Sequence, residues 1–332
     1  MVVIMNSGAS DEEIAGVVER IESLGMKAHV SRGTERTIIG LIGDEREVDL
    51  DSIAALPGVE RAFPILRPYK YVARNVRPEG LVVRVGDVEI GRGLVFMAGP
   101  CSVEDEDTTL RIAEQVQAAG ARIFRGGAYK PRTSPWSFQG LREKGLEILT
   151  RVRRETGMPV VTEIVDTADI EIVGEHADMY QVGTRNMKNY ALLSKLGKTD
   201  KPVLLKRGES AKIDEWLAAA DYIVRNGNGR VILCERGIRT FEDYTRNTLD
   251  LSAVVAAKKE SYLPVFVDPS HGTGHADMVP AMGRAAIACG ADGLIVEAHF
   301  DPDKAWSDGQ QTITPDVLAE TIAACRRLRE AL

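Results

Sequence analysis

Residues Leu263 to His275 read LPVFVDPSHGTGH. Leu263, Val265, Phe266 and Val267 form an apolar, β-branched run of the kind that makes a strand buried on both faces. Asp268, Pro269, Ser270, His271 and Gly272 end it with polar and turn-forming residues. A buried strand that stops in an acid, a proline and a histidine sets those groups at one rim of a sheet, where α/β enzymes keep their chemistry.

Working outward, the same pattern recurs eight times from Gly93 onward, in LVFMAG, ARIFRG, PVVTEI, DMYQVG, PVLLKRG, RVILCERG, PVFVDPS and GLIVEA. Segments with helical periodicity lie between these runs, among them Leu110–Ala119, Leu141–Arg154, Ile213–Val224 and Leu249–Ala257. Eight β-then-α units predict a (β/α)8 TIM barrel over residues 93–332, a size close to the roughly 250 residues such barrels use. A doubly wound open sheet is the alternative, but no Gly-rich nucleotide loop follows the first strand. RNGNGR and SHGTGH match neither a dinucleotide nor a Walker pattern and read as turns.

Residues 1–66 read as a small α+β domain of order βαββαβ, a ferredoxin-like pattern. Ser10 and Glu13 form a capping-box signature ahead of a helix whose Ile14, Val17, Val18, Ile21 and Leu24 share one face, with Gly25 at its end. Lys27–Ser31 and Thr37–Ile42 are the next strands, followed by a helix over Val48–Leu56 and the strand VERAFPI. Such a unit suits either small-molecule regulation or a purely structural role. Residues 67–92 read as a polar, basic linker followed by a hairpin of LVVRV and VEI around Gly86 and Asp87, placed to plug one end of the barrel.

Of the 332 residues, 44% are hydrophobic and 27% charged, ordinary values for a globular protein with a filled core. The start, MVVIMNSGASDEE, lacks a signal peptide's basic flank and cleavage site, and no long apolar run could span a membrane, so a cytoplasmic protein is expected. A net charge of −7 argues against nucleic-acid binding. The four cysteines are expected to be thiols, with Cys234, Cys289 and Cys325 in packing roles.

Barrel chemistry sits where strands end. Those positions carry Gly99-Pro100-Cys101, Arg125, Glu163, Arg185, Lys206-Arg207, Glu235-Arg236, Asp268 with His271, and Glu297 with His299, and Asp308 lies in the last loop. Cys101, His271, Glu297 and Asp308 make a mixed S, N, O, O set suited to a borderline divalent ion such as Mn, Fe, Co or Zn. Singly, Cys101 reads equally well as a buried thiol and His271 as a core histidine; jointly, the four are hard to assign to packing. Arg125, Lys130, Arg132, Arg185, Lys206 and Arg236 converge at the same rim of an acidic protein, which calls for an anionic ligand carrying phosphate and carboxylate. In the loop RGGAYKPRTSPWSF, Gly126 and Gly127 allow close backbone approach. Arg132, Thr133 and Ser134 offer donors to a second phosphate, and Ser134-Pro135 reads as a helix N-cap with proline at N1.

GPCSVE, RGGAYKPRTSPWSFQG, VGTRNMKN, LLKRG, ILCERG, DPSHGTG, IVEAH and the Trp306–Gln310 loop resemble, over residues 81–332, the type I-beta 3-deoxy-D-arabino-heptulosonate 7-phosphate (DAHP) synthases. The amino-terminal unit resembles the regulatory extension that binds tyrosine or phenylalanine in some members. The resemblance implies a (β/α)8 barrel, a homotetramer, and metal ligation by Cys101, His271, Glu297 and Asp308. It also implies phosphoenolpyruvate on Arg125, Lys130, Arg185, Lys206 and Arg236, and erythrose 4-phosphate on Lys130, Pro131, Arg132, Thr133 and Ser134. Catalytic roles would then fall to Lys130, Glu163, Lys206 and His271, with Glu163 positioning a water and Lys130 or Lys206 moving a proton. The sister enzyme, 3-deoxy-manno-octulosonate 8-phosphate synthase, reads Lys-Ala-Asn-Arg-Ser where this chain reads Lys130, Pro131, Arg132, Thr133. Other readings are a non-catalytic aromatic amino-acid sensor, which should have lost a ligand or cation, and a metal hydrolase, which would call for a His-rich ligand set. No chorismate mutase domain is evident, since Thr314–Leu332 reads as the last barrel helix, and a separate mutase partner stays open.

Overall fold

The computed structural model describes residues 1–33, 36–43, 48–63, 67–131 and 134–332. It divides into two compact units, Met1–Pro68 and Tyr69–Leu332.

In the first unit, β1 (Val2–Met5), α1 (Asp11–Ser23), β2 (Lys27–Arg32), β3 (Thr37–Ile42), α2 (Leu50–Ala54) and β4 (Val59–Phe63) build an antiparallel sheet of order β2-β3-β1-β4. The capping box expected at Ser10 forms in full: the Glu13 N–H donates to Ser10 Oγ, and the Ser10 N–H to Glu13 Oε2. Ile14, Val17 and Ile21 of α1 pack on Val3, Met5, Ile39 and Leu41, which closes a small core. The second helix is shorter than the expected Val48–Leu56, because Asp49 caps it and a turn at Gly58 leads into β4. Pro64 and Ile65 of the expected last strand lie outside the described residues.

In the second unit, β5 (Val83–Val85) and β6 (Val88–Ile90) form the expected hairpin. The barrel strands follow: β7 (Val95–Gly99), β8 (Ile123–Arg125), β9 (Val160–Ile164), β10 (Met179–Val182), β11 (Val203–Lys206), β12 (Val231–Glu235), β13 (Val265–Val267) and β14 (Gly293–Glu297). All eight expected runs become strands, and they close into a parallel barrel in chain order, β14 pairing back onto β7. The helices α3 (Glu106–Ala118), α4 (Glu143–Thr156), α5 (Ile170–His176), α6 (Tyr190–Leu196), α7 (Ile213–Arg225), α8 (Ser252–Glu260), α9 (Pro269–Thr273), α10 (Val279–Ala288) and α11 (Pro315–Ala331) complete the alternation.

Two expectations about loops change. SHGTGH is not a plain turn, because Asp268 accepts the His271 N–H and, with Pro269 at the first position, starts the one-turn helix α9. Ser134-Pro135 starts no helix: it forms a tight turn in which Ser134 Oγ accepts the Trp136 N–H, and α4 begins only at Glu143.

Val83, Val85, Val88 and Ile90 are buried against Val95, Met97, Ile123, Val161, Met179, Leu204, Ile232, Phe266 and Ile295, so the hairpin plugs the amino-terminal end of the barrel interior. The stretch read as a linker is packed where it meets the barrel. Tyr69 and Val72 are buried, and Asp221 of α7 accepts the Lys70 and Val72 N–H groups at 2.9 and 2.8 Å. Ile90 is fully buried, so Ile90→Ala should destabilise the chain by about 2–5 kcal/mol in equilibrium denaturation. A loss under about 0.5 kcal/mol would show the plug to be dispensable.

Candidate active site

Side chains two residues apart on a strand share a face. Along the barrel strands this carries an apolar interior upward into a polar mouth: Ile123 to Arg125, Val161 to Glu163, Met179 to Gln181, Leu204 to Lys206, Phe266 to Asp268 and Ile295 to Glu297. The mouth is a cleft with about 600 Å³ of space open to solvent, lined by Arg125, Lys130, Pro131, Glu163, Gln181, Gly183, Thr184, Arg185, Lys206, Glu209, Arg236, Arg246, His271 and Asp308. Ser134 is exposed in its turn outside that lining, and Arg132 and Thr133 lie outside the described residues.

Cys101, His271, Glu297 and Asp308 meet, with one ligand atom from each lying within 4.8 Å of the others. Cys101 Sγ is 2.9 Å from Asp308 Oδ2, and His271 Nε2 is 3.4 Å from Glu297 Oε1. Burial, helped by Glu297, pushes the Cys101 thiol up to about 12. Against its own burial, the Asp308 carboxyl is held at about 2 by the Cys101 hydrogen bond, His271 and Arg246. Burial lowers His271 although Asp268 and Glu297 oppose it, which favours a neutral imidazole with a free lone pair. Its Nδ1 lies 2.8 Å from Asp268 Oδ2, so that carboxylate backs the imidazole by charge and proximity, although Nδ1 makes no well-aligned hydrogen bond among the described residues. The donor types, their mutual approach and this backing carboxylate fit one divalent ion.

The cations separate by partner. Arg125 donates to Glu297 Oε1 and to the Pro100 carbonyl, both at 3.0 Å, while its buried Nε finds no partner among the described residues. Lys206 is 2.6 Å from Asp268 Oδ2. Arg207, one residue on and so on the opposite face, lies outside the cleft, where Glu235 and Asp250 each accept from it at 2.9 Å. Among the described residues, Arg185 and Arg236 have no carboxylate in ion-pair reach: Arg185 touches only the Pro131 carbonyl at 3.5 Å, and buried Arg236 only the Gly237 carbonyl at 3.5 Å. Burial lowers the Arg236 guanidinium below its ordinary value although Asp268 opposes it, and neighbouring Arg246 adds to the lowering. Lys130 donates to Cys101 O at 3.0 Å and to Cys101 Sγ at 2.9 Å. Gly127 permits this fold-back, since a Cβ there would stand 2.8 Å from Lys130 Cδ and 2.9 Å from Cys101 O. The close approach it allows is therefore the protein's own. Gly183 likewise makes room for Glu163, whose Oε1 a Cβ there would overlap.

Sequence reasoning missed Gln181, Thr184, Glu209 and Arg246. Counting two residues on from buried Met179 would have found Gln181. Arg246 reaches the cleft from the β12–α8 loop and donates to Gln311 Oε1 at 2.8 Å and Asp308 Oδ1 at 3.3 Å, contacts that no strand-end pattern marks. Cys234 and Cys325 are buried, and Cys289 is partly so.

A family model described as the DAHP synthetase I family matches residues 71–332, and one described as the DAHP synthase ferredoxin-like domain matches residues 1–67. The chain belongs to the DAHP synthetase I family. It is 50% identical over 333 residues to the phospho-2-dehydro-3-deoxyheptonate aldolase of Thermotoga maritima, covering 100% of this chain and 98% of that protein. The crystal structure of the phospho-2-dehydro-3-deoxyheptonate aldolase (DAHP synthase) from Thermotoga maritima superposes with a TM-score of 0.95 over 99% of this chain and 97% of that one, at 50% identity. The 2-dehydro-3-deoxyphosphooctonate aldolase of Syntrophotalea carbinolica is 33% identical over 260 residues, 72% of this chain and 93% of that protein. Membership in a family of enzymes sets aside the non-catalytic sensor. Among the described residues no helix is long and apolar enough to cross a membrane.

Removing Arg207 would strand two carboxylates, so Arg207→Ala should cost about 3–5 kcal/mol of stability in denaturant titration. Arg236→Ala strands none and should cost well under that while weakening anion binding in the cleft. Equal stability losses for the two would contradict the division of cations.

Proposed function

We propose that the cleft condenses phosphoenolpyruvate with erythrose 4-phosphate and water to give DAHP and phosphate, with a divalent ion required. The observation that supports this most is the pair of cations without carboxylate partners among the described residues, Arg185 and Arg236, beside a four-donor set able to hold a metal in one cleft. Arg185 and Arg236 hold the anionic groups of phosphoenolpyruvate, joined by Lys130, Lys206 and the free Arg125 Nε. C3 of phosphoenolpyruvate attacks the aldehyde carbon of the sugar, and the aldehyde oxygen takes a proton. Water adds at C2 and gives up one proton, and its second proton passes to the phosphate as the C2–O bond breaks, leaving the C2 ketone and free phosphate. Lys130, whose Nζ lies beside Cys101 Sγ at 2.9 Å within the donor set, is assigned the proton transfer to the aldehyde oxygen, and Lys206, 2.6 Å from Asp268 Oδ2, is assigned to anion holding. Glu163, inside the cleft and 3.4 Å from Gln181 Nε2, is placed to orient the water and receive its proton. Cys101, His271, Glu297 and Asp308 would hold the ion, which when bound supplies Lewis-acid polarisation of the aldehyde.

The amino-terminal unit is assigned a regulatory role, with tyrosine or phenylalanine as effector, and the assembly a homotetramer. The regulatory reading rests on the family relation and on the ferredoxin-like match to residues 1–67, and the tetramer on the family relation alone.

Metal-depleted protein should release phosphate from phosphoenolpyruvate only when Mn2+ and erythrose 4-phosphate are both added. Release with arabinose 5-phosphate instead would move the chain to the octulosonate branch, whose members are also relatives. Cys101→Ser should weaken Mn2+ binding by more than the roughly 10- to 100-fold typical of losing an outer-shell partner, and unchanged metal content would remove Cys101 from the set.

A further inference from the structure

Asp308 has a backbone φ of +53°, which a residue with a side chain keeps only where its surroundings over-determine it. Its loop, between β14 and α11, is fastened to the loop after β7 that carries Cys101. Beyond the approach of Cys101 to Asp308, Ser102 Oγ meets Ser307 Oγ at 2.8 Å. Next along comes a buried carboxylate used by neither the anion site nor the metal set. Glu104 is 3% exposed; its Oε1 accepts the Trp306 N–H at 2.9 Å, and its Oε2 lies 3.4 Å from Nε2 of His299, itself 1% exposed. His299 Nδ1 accepts the Asp301 N–H at 2.8 Å, so in the neutral ring the proton sits on Nε2 and is donated to Glu104. Two donors from the Asp308 loop thus converge on one side chain, each needing its own acceptor oxygen. A carboxylate supplies both; a glutamine amide supplies one.

We infer that Glu104 is a positioning residue for the metal centre, tying the Cys101 loop to the Asp308 loop through Trp306 and His299 so that the thiol and the strained carboxylate meet. This rests on the assignment of Cys101, His271, Glu297 and Asp308 to a divalent ion.

The test is Mn2+ affinity by equilibrium dialysis of the full chain after chelation, for wild type, Glu104→Gln and Glu104→Ala, with thermal unfolding recorded in chelator. Glu104→Gln keeps the volume and one acceptor, so it serves even where Glu104→Ala does not fold. It should bind Mn2+ about 10- to 100-fold more weakly, with turnover restored at saturating Mn2+. A packing role alone would lower the melting temperature and leave the affinity of the folded protein unchanged. Mn2+ affinity of Glu104→Gln within about twofold of wild type therefore overturns the inference. Wild type that binds no Mn2+ overturns the metal assignment itself, and this inference with it.

Discussion

In a parallel strand every second side chain points into the barrel, and that alternation holds the apolar interior and the charged mouth in one continuous stack. Below, Val83, Val85, Val88 and Ile90 of the hairpin and the lower strand residues fill the interior with apolar side chains. Above, the same faces continue into Arg125, Glu163, Gln181, Lys206, Asp268 and Glu297. Chemistry is thus positioned above an apolar, buried core, and a side chain's role follows from its parity along the strand.

Charge decides what the mouth can hold. Glu297 lies beside both Arg125 and His271, and Asp268 beside both Lys206 and His271, so the protein neutralises part of its own cation cluster with carboxylates of the same cleft. Among the described residues, Arg185 and Arg236 are left without an ion-paired carboxylate. Burying a guanidinium without a counter-ion costs stability, and an anionic substrate that supplies the counter-ion recovers it on binding.

The strands were legible because each is a short β-branched run ended by polar or turn residues, and three of the four donors that meet in space lie at or just past those ends, with Asp308 in the last loop. Parity was the signal left unused: Lys206 and Arg207 are adjacent in sequence, yet one enters the cleft and the other closes a buried network with Glu235 and Asp250. Ser134-Pro135 misled because its capping chemistry is spent on a turn, Ser134 Oγ satisfying Trp136 N–H with no helix behind it. Arg246 and Glu104 were illegible for another reason. Both act from loops, through partners such as Asp308 and His299 that only barrel closure brings near.

The most direct measurement is anomalous scattering from crystals of the full chain grown with Mn2+. One ion is expected at the mouth, bonded to Cys101 Sγ, His271 Nε2 and the carboxylates of Glu297 and Asp308. An ion bound elsewhere, or a mouth that takes none at saturating Mn2+, would contradict the proposed metal-dependent condensation.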